Sequence, residues 1–260
     1  MQPYLLRIGS VYIPTYWVVF LLAFLIATWF VYREACAWPL GHYALAPRDV
    51  APWGVLTILG GLLGARIWYV LQHWWFFILN PWWAPLFWRG GLVWYGGVLG
   101  SVIATWAFAR RRRLPVLRVL DQVIPFIVLG HGIGRMGCFL HGCCYGKPTT
   151  AWWGVAFPQQ PEIERIPIQL VEATALFTLY FVLRVLQERS PVLSRPGRLF
   201  GIYLLLYAPM RFVLERFRGD QILLIWGGWT IPQVVSIPVV LIGLLLCVGR
   251  PRTPQHGAAA

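Results

Sequence analysis

Six ionisable residues fall inside stretches otherwise too apolar to hold them: Arg66, Arg135, Glu172, Arg211, Glu215 and Arg216. A charged side chain at the middle of a bilayer costs about 2.5–3.5 kcal/mol on insertion scales, so such groups usually face a bundle interior and mark function. Arg211 and Glu215 are four apart, and Arg211 and Arg218 seven, so on a helix the three share one face. Alone, Arg211 and Glu215 read as an intrahelical ion pair that eases insertion. Arg135 adds a second guanidinium from another helix, and two such cations on one carboxylate leave positive charge that suits a phosphate gripped in forked geometry.

Glycine crowds the same region, with five in the fifteen residues from Gly132 to Gly146. Glycine lets backbone approach a ligand closely; it also packs helices in membranes, which is the better reading of Gly60, Gly61 and Gly64. His131 and His141 flank this segment and read as hydrogen-bonded structural groups. Tyr16 and Tyr95 suit either an interfacial or a hydrogen-bonding role. The five cysteines, Cys36, Cys138, Cys143, Cys144 and Cys247, contain no CxxC and signal neither a zinc site nor a disulfide framework. Cys138 and the Cys143-Cys144 pair read as small packing residues.

These groups must be positioned by elements that lipid covers. Hydrophobic residues make up 58% of the chain and charged residues 12%, against roughly 25% charged in a soluble domain. The apolar residues form blocks of about 20, the length that crosses a bilayer. Hydropathy places seven spans near 13–32, 51–71, 91–109, 119–140, 168–187, 199–217 and 231–249, the fourth and sixth being least apolar. The expectation is an all-α, seven-transmembrane-helix bundle. It forms one domain, 1–250, with outer-face loops 72–90 and 141–167 and a disordered cytoplasmic tail, 251–260. Residues 13–32 read as a retained span and not as a signal peptide.

Net charge is +13, a value that can mark a nucleic-acid binder, but here the cations sit between apolar blocks. That is the pattern of loops held against an anionic leaflet, and no nucleic-acid partner is expected. One side carries Arg33, Arg48, Arg110 to Arg113, Arg118, Arg189, Arg195, Arg198, Arg250 and Arg252; the other carries only Arg7, Arg89, Lys147, Arg165 and Arg218. The positive-inside rule then puts the N-terminus outside and the C-terminus in the cytoplasm. With that orientation Arg66, Arg135, Arg211 and Glu215 lie in the outer halves of their spans. Tyr16, Gly90, Gly91, Tyr95, Gln169, Glu172 and Gln233 fall near the outer ends of theirs. Asp121, at the inner end of the fourth span, reads as structural.

Six segments in order carry a family resemblance. Gly134-Arg-Met-Gly-Cys-Phe-Leu-His-Gly-Cys-Cys-Tyr-Gly146 resembles the glycine-arginine signature of the prolipoprotein diacylglyceryl transferases. Thr15-Tyr16-Trp17, Gly64-Ala65-Arg66, the Gly-rich 90–100, Ile166-Pro-Ile-Gln-Leu-Val-Glu-Ala173 and Met210-Arg211 through Asp220 are similar to further motifs of that family. The resemblance runs from about residue 10 to 245. It implies a seven-helix enzyme of the bacterial inner (cytoplasmic) membrane with its active site toward the periplasmic face. That enzyme moves the diacylglyceryl group of phosphatidylglycerol to the lipobox cysteine thiol of a preprolipoprotein, releasing glycerol phosphate.

By matching position, the resemblance gives Arg135 and Arg211 the phosphate, makes Glu215 the partner that orients Arg211, and puts Tyr95 in the catalytic set. Tyr16, Arg66, Gly91, Gly96, Gly134, Cys138, Gly142, Gly146, Gln169, Glu172 and Arg218 become substrate-binding positions. Tyr95 stands where a histidine is common in the family, and Cys138 and Cys143 stand at its Asn and Glu positions. A tyrosine with a pKa of about 10 is a poor base at neutral pH, which turns attention to His131, His141 or water. No metal or other cofactor is expected, since the leaving group is already an anion and the nucleophile is the substrate's thiol. Two other readings remain open at this level: a lipid-binding or transport protein using the same arginines, and a thiol oxidoreductase built on Cys143-Cys144.

Overall fold

The computed structural model describes residues 4–8, 11–37, 44–87, 90–189, 195–219, 223–225 and 228–248. The tail 251–260, Arg89, Asp220, Arg250 and Arg252 lie outside the described residues.

Long helices occupy each expected block: α1 (Thr15–Ala37), α2 (Pro47–Gln72), α4 (Trp94–Arg111), α5 (Val116–His141), α6 (Ile168–Arg189), α7 (Arg198–Glu215) and α8 (Ile231–Val248). Five of them, α1, α2, α5, α6 and α8, are long and apolar enough to cross a membrane. At 1.5 Å per residue, the 23 residues of α1 reach about 35 Å. Its Trp17, Leu21, Leu25 and Trp29, spaced four apart, form one exposed apolar stripe. Such a surface belongs against lipid and not water.

The two shorter helices differ from expectation in one respect. α7, the sixth block, is mostly apolar but carries Arg198, Arg211 and Glu215, and these charges keep it out of that set. The fourth block, α5, passes the hydropathy test, and it is the third, α4, that falls short, because glycines, Trp94, Tyr95 and the terminal Arg110-Arg111 dilute it. The loop 72–90 holds a six-residue helix, α3 (Trp74–Leu79), that hydropathy does not mark. Its Trp74 and Trp75 are exposed, as befits an interfacial segment. Nor is the chain purely helical. Among the described residues three antiparallel two-stranded ribbons join its elements: β1 (Tyr4–Ile8) with β2 (Val11–Pro14), β3 (Val155–Phe157) with β4 (Gln160–Arg165), and β5 (Leu223–Ile225) with β6 (Trp229–Thr230).

Two compact units result, one of residues 28–122 and one of residues 1–27 with 123–260. In the first, α2 and α4 meet along glycine. A Cβ at Gly100 would fall on the Gly60 carbonyl oxygen, and one at Gly96 on that of Gly64. Polar bonds reinforce this seam, since Ser101 Oγ donates to Thr57 O at 3.2 Å and Trp53 Nε1 to Thr105 Oγ1 at 3.2 Å. Small residues that let backbones touch are the usual basis of helix association in lipid.

In the second unit the core is aliphatic: Ile124 and Val128 of α5, Leu176, Leu179 and Leu183 of α6, and Leu199 of α7. α5 also meets its neighbours through glycine. A Cβ at Gly137 would strike Val19 of α1 at 2.8 Å, and one at Gly132 would strike Phe177 of α6 at 2.7 Å. The backbone N–H of Thr230 donates to Gln233 Oε1 at 3.1 Å, so this buried glutamine caps the start of α8.

Candidate active site

Three arginines from two helix ends converge on one carboxylate. Glu172, 1% exposed, lies one turn into α6. Its Oε2 is 3.1 Å from Arg135 Nε of α5 and 3.7 Å from Arg218 Nη1, just beyond α7, while its Oε1 accepts from Arg211 Nη1 at 3.0 Å. Arg211 also pairs with Glu215 at 2.6 Å, and Arg218 Nε lies 3.9 Å from the same carboxylate. Three cations against two anions leave one net positive charge in a setting where the guanidinium side chains are only 11–15% exposed. Apart from its Nε contact with Glu172, Arg135 makes no hydrogen bond or ion pair among the described residues, so its two Nη groups remain available to a ligand.

The glycines around Arg135 divide into two kinds. Gly132 and Gly137 are demanded by close helix packing, whereas a Cβ at Gly134 would meet no atom within 4 Å. Close packing therefore does not explain Gly134.

What aligns the helix ends is the chain after α5. Gly142, with φ 81°, terminates that helix as its N–H and the Cys143 N–H bond back to Cys138 O at 3.0 and 3.1 Å. Gly146 then runs between two other segments. Its N–H donates to Ile166 O at 2.9 Å, just before α6, and Lys147 N–H donates to Phe217 O at 2.9 Å, just after α7. A Cβ on Gly146 would stand 2.6 Å from Ile166 Cβ and 2.9 Å from Phe217 O. This junction ties the start of α6 and the end of α7 to the α5 turn, and so brings Glu172 and Arg218 to Arg135. Gly146→Ala is therefore expected to cost about 1–3 kcal/mol of stability through overpacking, seen as a lower thermal midpoint in detergent. An unchanged midpoint would show that the junction has room to spare.

Around the cluster, Gln169 is fully buried one turn before Glu172 and donates from Nε2 to Cys143 O at 2.7 Å, and its Oε1 has no hydrogen-bond partner among the described residues. Tyr16, at the start of α1, lies within electrostatic reach of Arg135, Cys138, Cys143 and Cys144. His131 is in similar reach of Arg135 and Arg211, with its ring 5.9 Å from that of Tyr207. Arg165, which the motifs do not single out, stacks over Tyr145 at 4.6 Å and donates to Gly146 O at 3.4 Å. Cys138, Cys143 and Cys144 gather with all three Sγ atoms within 4.8 Å of one another. Within this group Cys144 Sγ donates to Cys143 Sγ at 3.6 Å.

Arg66, Gly91, Tyr95 and Gly96 belong to the other unit. Arg66 is engaged by main chain there. Its Nε donates to Ala84 O at 2.8 Å, Nη1 to Gly90 O at 2.7 Å and Gly91 O at 3.1 Å, and Nη2 to Trp83 O at 2.6 Å. Its geometry is that of a clamp on loop 72–90. Gly91, with φ 76°, packs under Arg66 and Tyr69, and Gly96 sits in the α2–α4 seam. Tyr95 is half-buried in the first turn of α4, its ring 5.3 Å from that of Trp94. Arg66→Lys, unable to reproduce the fork, is expected to loosen this loop by about 2 kcal/mol, measured as faster proteolysis between Tyr69 and Trp94. Unchanged proteolysis with lost activity would make Arg66 a ligand group instead.

Residues 3–249 match the family model described as prolipoprotein diacylglyceryl transferase. The chain belongs to that family. Among its relatives are proteins of Brucella canis and Brucella ovis named phosphatidylglycerol--prolipoprotein diacylglyceryl transferase, each 32% identical over 252 residues, covering 94% of this chain and 90% of the relative. A third, from Brucella abortus, aligns to the same extent. The family match spans both units, so the transferase fold takes in the Arg66 clamp as well as the arginine cluster.

Proposed function

We propose that this chain is a prolipoprotein diacylglyceryl transferase, which moves the diacylglyceryl group of phosphatidylglycerol to the thiol of a lipobox cysteine. The observation that carries this reading is the buried, net-positive arrangement of Arg135, Arg211 and Arg218 on Glu172. The thiolate sulfur attacks the glyceryl carbon, a carbon–sulfur bond forms, and the carbon–oxygen bond to phosphate breaks. The electron pair moves onto the departing glycerol phosphate. Guanidiniums fixed beforehand in a dry site stabilise that charge as it develops, the kind of electrostatic preorganisation that supplies most catalytic power. Arg135 and Arg211 grip the phosphate, with Glu215 and Glu172 holding their planes, and Gly134 gives the headgroup room.

The protein acts in the bacterial inner membrane as a bundle of seven spans, N-terminus outside, with the arginines toward the outer leaflet. The distribution of Lys and Arg over the loops supports that orientation. α4 and α7 serve as the two less apolar spans because their polar positions face the bundle.

Purified protein with phosphatidylglycerol and a synthetic lipobox peptide is expected to give a thioether-linked diacylglyceryl peptide by mass spectrometry, and the gene is expected to restore lipoprotein maturation in a strain depleted of its own transferase. Phosphatidylglycerol bound without any adduct would leave only lipid binding.

A further inference from the structure

We propose that Cys138 and Cys143 form a disulfide that fastens the turn after α5, with Cys144 left as a thiol. This rests on the outward orientation proposed above, because the oxidising side of the membrane supplies the oxidant.

The helix end itself pairs the two side chains. Gly142 is left-handed, its N–H donates to Phe139 O at 3.1 Å, and the Cys143 N–H donates to Cys138 O at 3.1 Å. Those two bonds make a Schellman closure, in which the side chains at the two ends of the longer bond commonly touch. Here both ends are cysteines, and their Sγ atoms lie within 4.8 Å of each other. Rotation about the Cα–Cβ bonds covers the distance to a sulfur–sulfur bond of about 2 Å. Cys144 Sγ is also close to Cys143 Sγ, at 3.6 Å. Consecutive Cα atoms, however, stand about 3.8 Å apart, below the roughly 4.4–6.8 Å that a relaxed disulfide spans.

Exposure sets the order of events. Cys138 is buried and Cys143 half-buried, so a disulfide-bearing oxidant meets Cys143 first. The Cys143 thiolate attacks one sulfur of that disulfide and releases the other as a thiolate. The Cys138 thiolate then attacks the Cys143 sulfur and releases the second. The two cysteines have lost two protons and two electrons, and the oxidant leaves as two thiols. The product is uncharged, so the neighbouring arginine–glutamate cluster keeps its single positive charge.

What the bond fastens is the frame of the site. Cys138 follows Arg135 by three residues on α5, and the Cys143 carbonyl accepts from buried Gln169 at 2.7 Å. Three residues later Gly146 ties the start of α6 to the end of α7. Cys138 and Cys143 are also the two positions at which this chain departs from the Asn and Glu of the family signature. Both change together, as the exchange of a polar pair for a covalent one requires.

The test counts thiols first. Full-length protein is alkylated in cells before lysis, and the peptide that carries all three cysteines is read by mass spectrometry. It is expected to take one label, on Cys144, and three labels after reduction. Reducing the wild-type protein in detergent is expected to lower its thermal midpoint by about 4–8 °C, the effect of opening so short a loop. Cys138→Ser, Cys143→Ser and the double variant are expected to start from a similarly lowered midpoint and to show no further response to reductant. Cys144→Ser is expected to respond as wild type does. Labels on Cys138 and Cys143 that persist after treatment with oxidised glutathione would overturn the proposal, as would a bond to Cys144 or a wild-type midpoint indifferent to reductant. Thiols that stay free in cells yet close under oxidised glutathione would overturn the orientation instead. Bonded wild-type protein that makes no lipid adduct would overturn the transferase reading alone.

Discussion

Arg135→Ala and Arg211→Ala are each expected to lower diacylglyceryl transfer by about 10³-fold or more while the protein still inserts. Removing a single donor from a preorganised anion site costs about 10²–10³-fold, and here each change also erases the net positive charge, since two cations would then face two carboxylates. Arg135 has more to lose, because its two Nη groups engage no described residue and remain for the phosphate. Arg135→Lys keeps the charge without the fork and is expected to fall between wild type and Ala. Initial rates at saturating phosphatidylglycerol separate the cases; near-wild-type turnover in both Ala variants would remove the phosphate grip from the mechanism.

Glu172→Gln is expected to damage folding and chemistry together. The carboxylate is 1% exposed and touches three guanidiniums. Removing one partner of a buried ionic network costs about 3–5 kcal/mol, because the charges left behind stay desolvated. The three arginines would then repel one another with only Glu215 between them. A thermal midpoint well below wild type, with transfer lost even at temperatures where the variant is folded, is the expected pattern. A variant as stable as wild type would mean that solvent or lipid already neutralises the cluster. Glu215→Gln is expected to be milder, since among the described residues Glu215 pairs with Arg211 and Arg218 alone.

The long helices were legible because lipid demands apolar blocks of fixed length, and α1 to α8 fall within a few residues of those blocks, α3 excepted; five of them are apolar enough to cross a membrane. Polar segments gave less away. The meeting of Arg135 with Arg211 could be expected from their matching depth, but nothing in the spacing said that Glu172, on a third helix, would sit between them. Its partners are set by how α5, α6 and α7 end, which Gly146 decides through long-range backbone bonds. Arg66 shows the reverse. Its motif reads as a ligand group, yet the fate of its N–H groups depends on a loop that returns some 20 residues later. Cys138, Cys143 and Cys144 carry no CxxC spacing, and only the left-handed turn through Gly142 and Cys144 brings them together.

Contact between the α2 and α4 main chains along Gly60, Gly64, Gly96 and Gly100 bears on traffic as well as on stability. Two helices zipped that tightly offer no slot through which an acyl tail could slide from the bilayer, and prying them apart would sacrifice the very proximity that holds them.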